Sequence, residues 1–318
     1  EDKAWLARAA GEQLKARFRV LDVDPDVWGG IMWCNFLRPV DSRVYEEVKD
    51  MAKVQKQLED ANDEYNLTHT AAMNLVFFTD CIGHINRVAR IFQQPRGNLL
   101  LVGVGGSGRS SCARLCACMS ETREMDIALT KGYGIDAFRE DMKKVLLSAG
   151  SGAEAKATMF LINDTQIINE TFLEDINNIL NAGEVPNLWP SDEAERVIGD
   201  TRPRAKDAGR SEARDSVWQF FVETVRDNLH IVLTMSPVGS ALRVRMRMFP
   251  ALVSCCSIDW FLPWPDEALL GVSTRQLEGM KGVSAELKES VSRSCCQVHQ
   301  QVLRTAATFE ERLRRKVY

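Results

Sequence analysis

The chain has 318 residues, 45% of them apolar, and a formal net charge of −4 from 40 Lys and Arg against 44 Asp and Glu. The apolar share is enough to bury a sizeable core and argues against intrinsic disorder, and the length suits one large α/β domain with a smaller companion. A mildly acidic chain is a poor candidate for general nucleic-acid binding, which needs a basic face.

The chain opens on EDKAWLARAA, which is charged and unlike a signal peptide, and LLLVGV at 99–104 is typical of its apolar runs. Such runs fall far short of the ~20 residues that span a bilayer, so no membrane partner is expected. It begins with Glu rather than Met and ends in a charged helical run, so it reads as a piece of something longer. Trp5, Leu6, Ala9, Leu14 and Phe18 recur at helical spacing over 1–20. A loop with Asp-Pro, Gly-Gly and Arg-Pro follows at 24–39, then a solvated helix over 42–64 and a second helix over 71–93, closed by Pro95.

Beyond Pro95 the pattern changes. Asn98–Val104 is a short apolar strand, Ser110–Ser120 a helix, and Met125–Leu129 a short strand. Ile135, Phe138, Met142, Val145 and Leu146 mark an amphipathic helix that stops at Gly150. Thr158–Ile162 has strand length, and Phe172 to Leu180 is helical up to Gly183. The polar stretch 184–228, with Pro186, Pro190 and Pro203, reads as an insertion or irregular connection whose last part, Trp218 to Val225, is helical. His230–Met235 and Val253–Trp260 read as further strands. Strands alternating with helices predict a parallel sheet covered on both faces. After Pro265 the pattern is purely helical, with Leu287, Val291, Cys295, Val298, Val302, Ala306, Phe309 and Leu313 stepping by three or four. The nine cysteines are irregularly spaced, and the four histidines are scattered, so reduced core cysteines are expected rather than a metal or disulfide framework.

One run carries chemistry. Gly103, Val104, Gly105, Gly106, Ser107, Gly108, Arg109, Ser110 and Ser111 match the phosphate-binding loop G-x-x-x-x-G-K-[ST] everywhere except at the lysine. Glycines let such a loop wrap a phosphate with its N–H groups turned inward, and the following helix presents its positive end. Ser110 stands where a hydroxyl would ligate Mg²⁺. Arg109 keeps the charge of the usual lysine but is planar and bulkier.

An ATPase of this kind also needs an acidic end on a second strand, one group to orient Mg²⁺ and one to polarise water. The candidate is MFLINDTQ at 159–166. One register puts Asn163 in the metal place and Asp164 in the base place; the other puts Asp164 on Mg²⁺ and Thr165 as the base. Asn163 brings no charge, and in the first register aspartate falls short of glutamate by about 1.5 Å. A displacement of that order costs ~100-fold. Both registers degrade hydrolysis.

The runs QPRGNLLLVGVGGSGR at 94–109, FLINDTQI at 160–167, FLEDINNILNAGEVPNL at 172–188, LHIVLTMSPVG at 229–239 and FPALVSCCSIDWFLPWP at 249–265 resemble the fourth AAA+ module of dynein heavy chains, most of all the axonemal (ciliary) class. RVYEEVKDM at 43–51 fits as well. The resemblance implies an α/β P-loop AAA+ module, a parallel sheet flanked by helices, with a small all-helical lid. Residues 1–40 would be the tail of the preceding module's lid and a linker, 41–265 the large subdomain, and 266–318 the lid leading toward a stalk. It further implies a sensor role for Ser236, where the family often has Asn, and an arginine finger at Arg245 reaching the neighbouring module. The implied ligands are ATP or ADP with Mg²⁺. The implied partners are adjacent modules of the same heavy chain, other dynein subunits, and a microtubule bound through regions outside this chain, in the cytoskeleton of the axoneme. The implied role is regulatory, with slow or absent hydrolysis. A working ATPase using Asp164 and a nucleotide-free structural module are the alternatives. A GTPase is disfavoured because no Asn-Lys-x-Asp run occurs.

Overall fold

The computed structural model describes residues 2–17, 31–38, 42–152 and 155–314. Part of the loop expected at 24–39, and the boundary expected at 40/41, lie outside them. The chain divides into two compact units, Glu1–Gln57 and Leu58–Tyr318.

The first unit carries α1 (Asp2–Arg17) and a two-stranded antiparallel ribbon of β1 (Trp33–Cys34) and β2 (Glu46–Glu47). The helix expected from residue 42 therefore starts later, as α2 (Met51–Thr68). Asp50 sets that start: its carboxylate accepts from the Ala52 and Lys53 N–H groups at 2.9 and 3.4 Å, taking up first-turn donors that a helix leaves open.

In the second unit, α3 (Thr79–Phe92) is shorter than the expected helix over 71–93. The side chains of α2 explain the difference. Asn66 accepts from the Met73 N–H at 2.7 Å, and Asn62 and Asn66 both donate to the Met73 carbonyl at 3.0 Å. Met73 thus finds its backbone partners outside any helix, so residues 72–78 run without regular structure.

Five strands form the sheet: β3 (Leu99–Gly103), β4 (Arg123–Asp126), β5 (Thr158–Asn163), β6 (Leu229–Met235) and β7 (Ser257–Phe261). All pair in parallel, in the order β4-β5-β6-β3-β7. Every residue of β3 and β6 is buried, as are Thr158–Ile162 of β5, which is why these strands read as unbroken apolar runs. The intervening helices are α4 (Arg109–Met119), α5 (Ile135–Gly150), α6 (Thr171–Ala182), α7 (Ser191–Asp207), α8 (Arg214–Asn228), α9 (Ala241–Met248) and the single turn α10 (Ala251–Ser254). Phe138 of α5 and Phe172 of α6 stack at 4.2 Å in the core and are fully buried. Burial of such a ring contributes about 1.5–3 kcal/mol.

The 184–228 stretch is not irregular; it is largely the hairpin α7–α8. Val197, Thr201 and Ala205 of α7 recur every fourth residue and are buried, as are Val217, Phe221 and Val225 of α8. The charges that hid this pattern suit the helix ends: Asp192 and Glu193 lie in the first turn of α7, Arg204 and Lys206 in the last. The strand expected over Val253–Trp260 is likewise corrected. Pro250 opens α10, and β7 begins only at Ser257. As an edge strand β7 alternates, burying Asp259 and Phe261 between exposed neighbours. The buried Asp259 carboxylate is met by His84 Nδ1 at 2.7 Å and Arg87 Nε at 2.9 Å, both from α3.

Two helices, α11 (Asp266–Glu278) and α12 (Ala285–Leu313), pack against each other beyond the sheet. Ser284 caps α12 by accepting from the Leu287 N–H at 3.3 Å. The apolar residues Leu287, Val291, Val298, Val302, Phe309 and Leu313 of α12 are exposed. Among the described residues no helix is long and apolar enough to cross a membrane.

Candidate functional site

In a parallel sheet every strand ends on the same edge, and ligands bind beyond the carboxyl ends. β3 delivers its loop there. Gly106 and Gly108 stand at φ 79° and 87°, in the left-handed region that favours glycine. A Cβ on Gly103 would meet Phe261 Cβ at 2.8 Å and Ser107 Oγ at 2.9 Å, so the fold itself requires that glycine. Gly105 differs. It does not stand at positive φ, and among the described residues a Cβ there would meet nothing within 4 Å, so none of them demands a glycine. Bare backbone at such a position suits an outside group that approaches it closely. Among the described residues the buried Ser107 hydroxyl has no hydrogen-bond partner, and Gly108 starts α4 with no side-chain cap for the first turn. The loop therefore fits an anionic group held by N–H donors and a helix N-terminus.

β5 lies two strands away, across β6. The Ser110 hydroxyl donates to Asn163 Oδ1 at 2.7 Å, and so does the Thr234 hydroxyl from β6. Asn163 opens a 3-10 turn, Asp164–Gln166, and the Gln166 side chain reaches back to it. Gln166 Oε1 accepts from the Asn163 backbone N–H at 2.7 Å and from its side-chain Nδ2 at 3.2 Å. Gln166 Nε2 in turn donates to the Ile127 carbonyl at 2.7 Å, just beyond β4. The Asn163 amide is thereby held with its oxygen toward Ser110. Asp164 Oδ2 accepts from the Ser236 backbone N–H at 2.9 Å, while the Ser236 hydroxyl accepts from the Val238 N–H at 3.3 Å.

Arg109 crosses the site. Its Nη1 donates to the Met235 carbonyl at 2.6 Å and its Nη2 to the Val104 carbonyl at 3.3 Å. Burial lowers its pKa from the ordinary value, and attraction to Asp164 works against that shift. Arg245 stands apart from this group. On α9, with only 13% of its side chain exposed, it donates to Glu170 Oε1 at 3.0 Å from Nε and 2.8 Å from Nη2.

The structure thus brings Gly103–Ser111, Asn163, Asp164 and Ser236 together and leaves Arg245 outside. A family model for the P-loop containing dynein motor region D4 matches residues 73–318. The chain belongs to this dynein family. Human dynein axonemal heavy chain 6 is 50% identical over 277 residues, 87% of this chain and 7% of that protein. The Chlamydomonas reinhardtii dynein-1-beta heavy chain of the flagellar inner arm I1 complex is 45% identical over 329 residues, covering 100% of this chain and 7% of its own length. The ciliary dynein beta chain of Tripneustes gratilla is 41% identical over 285 residues, 90% of this chain and 6% of the relative. The chain therefore spans under a tenth of these relatives. Two members of this candidate site carry no role among the expectations from sequence. Gln166 stands in the DTQ run and meets Asn163 within its own turn and Ile127 beyond β4, while Thr234, a lone hydroxyl in the apolar run LHIVLTM, reaches Asn163 only once β6 lies beside β5.

Proposed function

We propose that this module binds ATP or ADP as a regulatory element of an axonemal dynein heavy chain and turns nucleotide over slowly or not at all. The observation that carries the reading is the 2.7 Å bond from Ser110 to Asn163 Oδ1. It joins the phosphate loop to the end of β5, and it favours the register with a neutral amide where the mechanism needs a charge. Gly103–Gly108, Arg109, Ser110 and Ser111 would hold the phosphates, Ser110 and Asn163 would face the metal, and Asp164 would be the remaining candidate base. Bound Mg²⁺ would supply positive charge against the phosphate oxygens. Ser236 would act as the sensor, a reading supported by the backbone N–H it gives Asp164. Arg245 can act as a finger to the neighbouring module only by exchanging Glu170 for a phosphate, since Glu170 now holds it.

The relatives' names, axonemal, ciliary and flagellar inner arm, support a place in the axonemal cytoskeleton. Partners would be the adjacent modules, other dynein subunits, and a microtubule reached by other regions of the heavy chain. The test is a density map of the intact heavy chain after incubation with ATP. An intact γ-phosphate at Gly103–Ser111 supports a module that binds without cleaving. ADP there, with ATP retained in an Asp164→Asn variant, makes it a working ATPase. An empty loop with Arg109 in the phosphate space leaves a structural spacer.

A further inference from the structure

The strands of the sheet begin at the edge opposite the phosphate loop. β3 crosses from one edge to the other in five residues, about 16 Å at ~3.3 Å per residue. At the amino-terminal edge lies a pocket of ≈ 300 Å³, at the lower end of the ~300–1,000 Å³ range of small-molecule sites. Its floor is apolar: Ile179 and Leu180 from the end of α6, Val225 from α8, and Leu229 and Ile231 from β6 are all buried. Arg96, Asn98, Arg226, Ser254 and Cys255 complete the lining, and none of the lining residues is acidic. We propose that this pocket binds a small organic carboxylate, its oxygens on the Arg226 guanidinium and its apolar body on the floor.

The charges around the pocket do not cancel. Arg96 donates from Nε to Asp227 Oδ1 at 2.9 Å, so that pair is neutral. Arg226 is partly buried, and among the described residues its guanidinium has no hydrogen-bond or ion-pair partner. Its stem is held in place: Gly183 stands at φ 83°, and a Cβ there would run into Arg226 Cγ. The other polar side chains are engaged. Asn98 Oδ1 accepts from the Ile231 N–H at 2.8 Å, its Nδ2 donates to the Arg96 carbonyl at 3.1 Å, and the Ser254 hydroxyl donates to the Pro250 carbonyl at 3.2 Å. One positive charge is thus left uncompensated beside an apolar floor, and an unpaired charge drawn partly out of water is costly. The planar fork of a guanidinium matches the two oxygens of a carboxylate. One guanidinium balances the single charge of a carboxylate and leaves a phosphate monoester, at about −1.5 to −2, partly unmatched. Occupancy of the phosphate loop is not required.

Cys255 can report occupancy. It is partly exposed in the pocket, where its thiol donates to Asn181 Oδ1 at 3.8 Å, whereas the neighbouring Cys256 is buried. The test dialyses the intact heavy chain and alkylates it with iodoacetamide alone, with octanoate, and with octan-1-ol. Fragmenting the peptide that holds both cysteines separates the label on Cys255 from that on Cys256. Octanoate is expected to slow labelling of Cys255, and octanol to need about 10- to 150-fold more for the same protection. Arg226→Gln should remove that difference, and Arg226→Lys, which keeps the charge, should retain part of it. Cys256 staying unlabelled shows in each variant that the fold holds. Equal protection by octanoate and octanol, or protection by neither, overturns the proposal in the unmutated chain. So does a Cys255 still shielded after dialysis with no additive, which assigns the pocket to another part of the heavy chain. A preference for octanoate that survives in Arg226→Gln overturns it as well and leaves Arg226 as a cation facing the end of α8.

Discussion

Replacing Gly105 by alanine separates what the loop needs for folding from what it needs for a ligand. The added methyl meets no atom within 4 Å, and the residue does not sit at positive φ. The folded state therefore loses nothing, while the unfolded chain loses freedom, which stabilises by about 0.4–1 kcal/mol. For a chain of this size that raises the melting temperature by roughly 1–4 °C. If the loop wraps a phosphate as proposed, the same methyl would lie where a phosphate oxygen approaches the backbone. Crowding of that order costs about 1–3 kcal/mol, or roughly 5- to 150-fold in affinity. The assay is a melting curve without nucleotide and a titration with fluorescent ADP, both on one preparation of Gly105→Ala. A melting temperature that holds or rises, with affinity lost, is the expected pair. Unchanged affinity would refute the claim that the loop wraps a phosphate at this position.

Gly103→Ala should do the opposite to folding, because its Cβ meets Phe261 and Ser107 below 3 Å; a loss of about 1–3 kcal/mol in a denaturant melt is expected. Gln166→Ala removes three hydrogen bonds, a cost of roughly 1.5–4.5 kcal/mol. It also frees the Asn163 amide to flip, so the affinity gained on adding Mg²⁺ should fall by about two-fold if half the molecules turn the nitrogen inward; an unchanged magnesium effect counts against the clamp. His230 is buried in β6, where its Nδ1–H donates to the Gly97 carbonyl at 2.7 Å, and burial lowers its pKa from 6.5. The unfolded chain then takes up a proton before the folded one does. Stability should fall as pH drops below 6.5, by at most about 1.4 kcal/mol per pH unit from this group. Melts across pH 5–8 should show a shallower slope for His230→Asn, and an identical slope would remove His230 as the cause.

Much of the fold could be read in advance because its signals are local. β3, β5 and β6 lie inside a parallel sheet, and burial on both faces writes them as plain apolar runs. The phosphate loop was legible from glycine spacing between a strand and a helix. Other features depend on partners distant in the sequence. Residues 72–78 stay out of a helix because Asn62 and Asn66 take Met73's backbone groups. α7 was obscured by prolines and charges, although Val197, Thr201 and Ala205 kept helical spacing. β7 alternates because it is an edge, and one of its buried residues is an aspartate that His84 and Arg87 make tolerable. In the site, the loop residues and the Asn163–Asp164 step were visible. The part played by Thr234 was not, because it arises from β6 lying beside β5, and that of Gln166 was not, because a glutamine three residues after Asn163 has many possible partners until the turn forms and Ile127 is near.

The Asn163 oxygen, described above as the meeting point of two hydroxyls, has a further meaning for ion selectivity. A carbonyl-type oxygen has two lone pairs, and here Ser110 and Thr234 occupy both. Asn163 can therefore face a cation only by releasing a hydroxyl, and Ser110 must turn its own proton away to do the same. Giving up one or two such bonds sets a toll of about 1–3 kcal/mol, or roughly 5- to 150-fold in affinity. Weakly charged ions do not recover it. In the proposed nucleotide site such a network would work as a gatekeeper, disfavouring monovalent ions and yielding to a divalent cation that arrives with its phosphates.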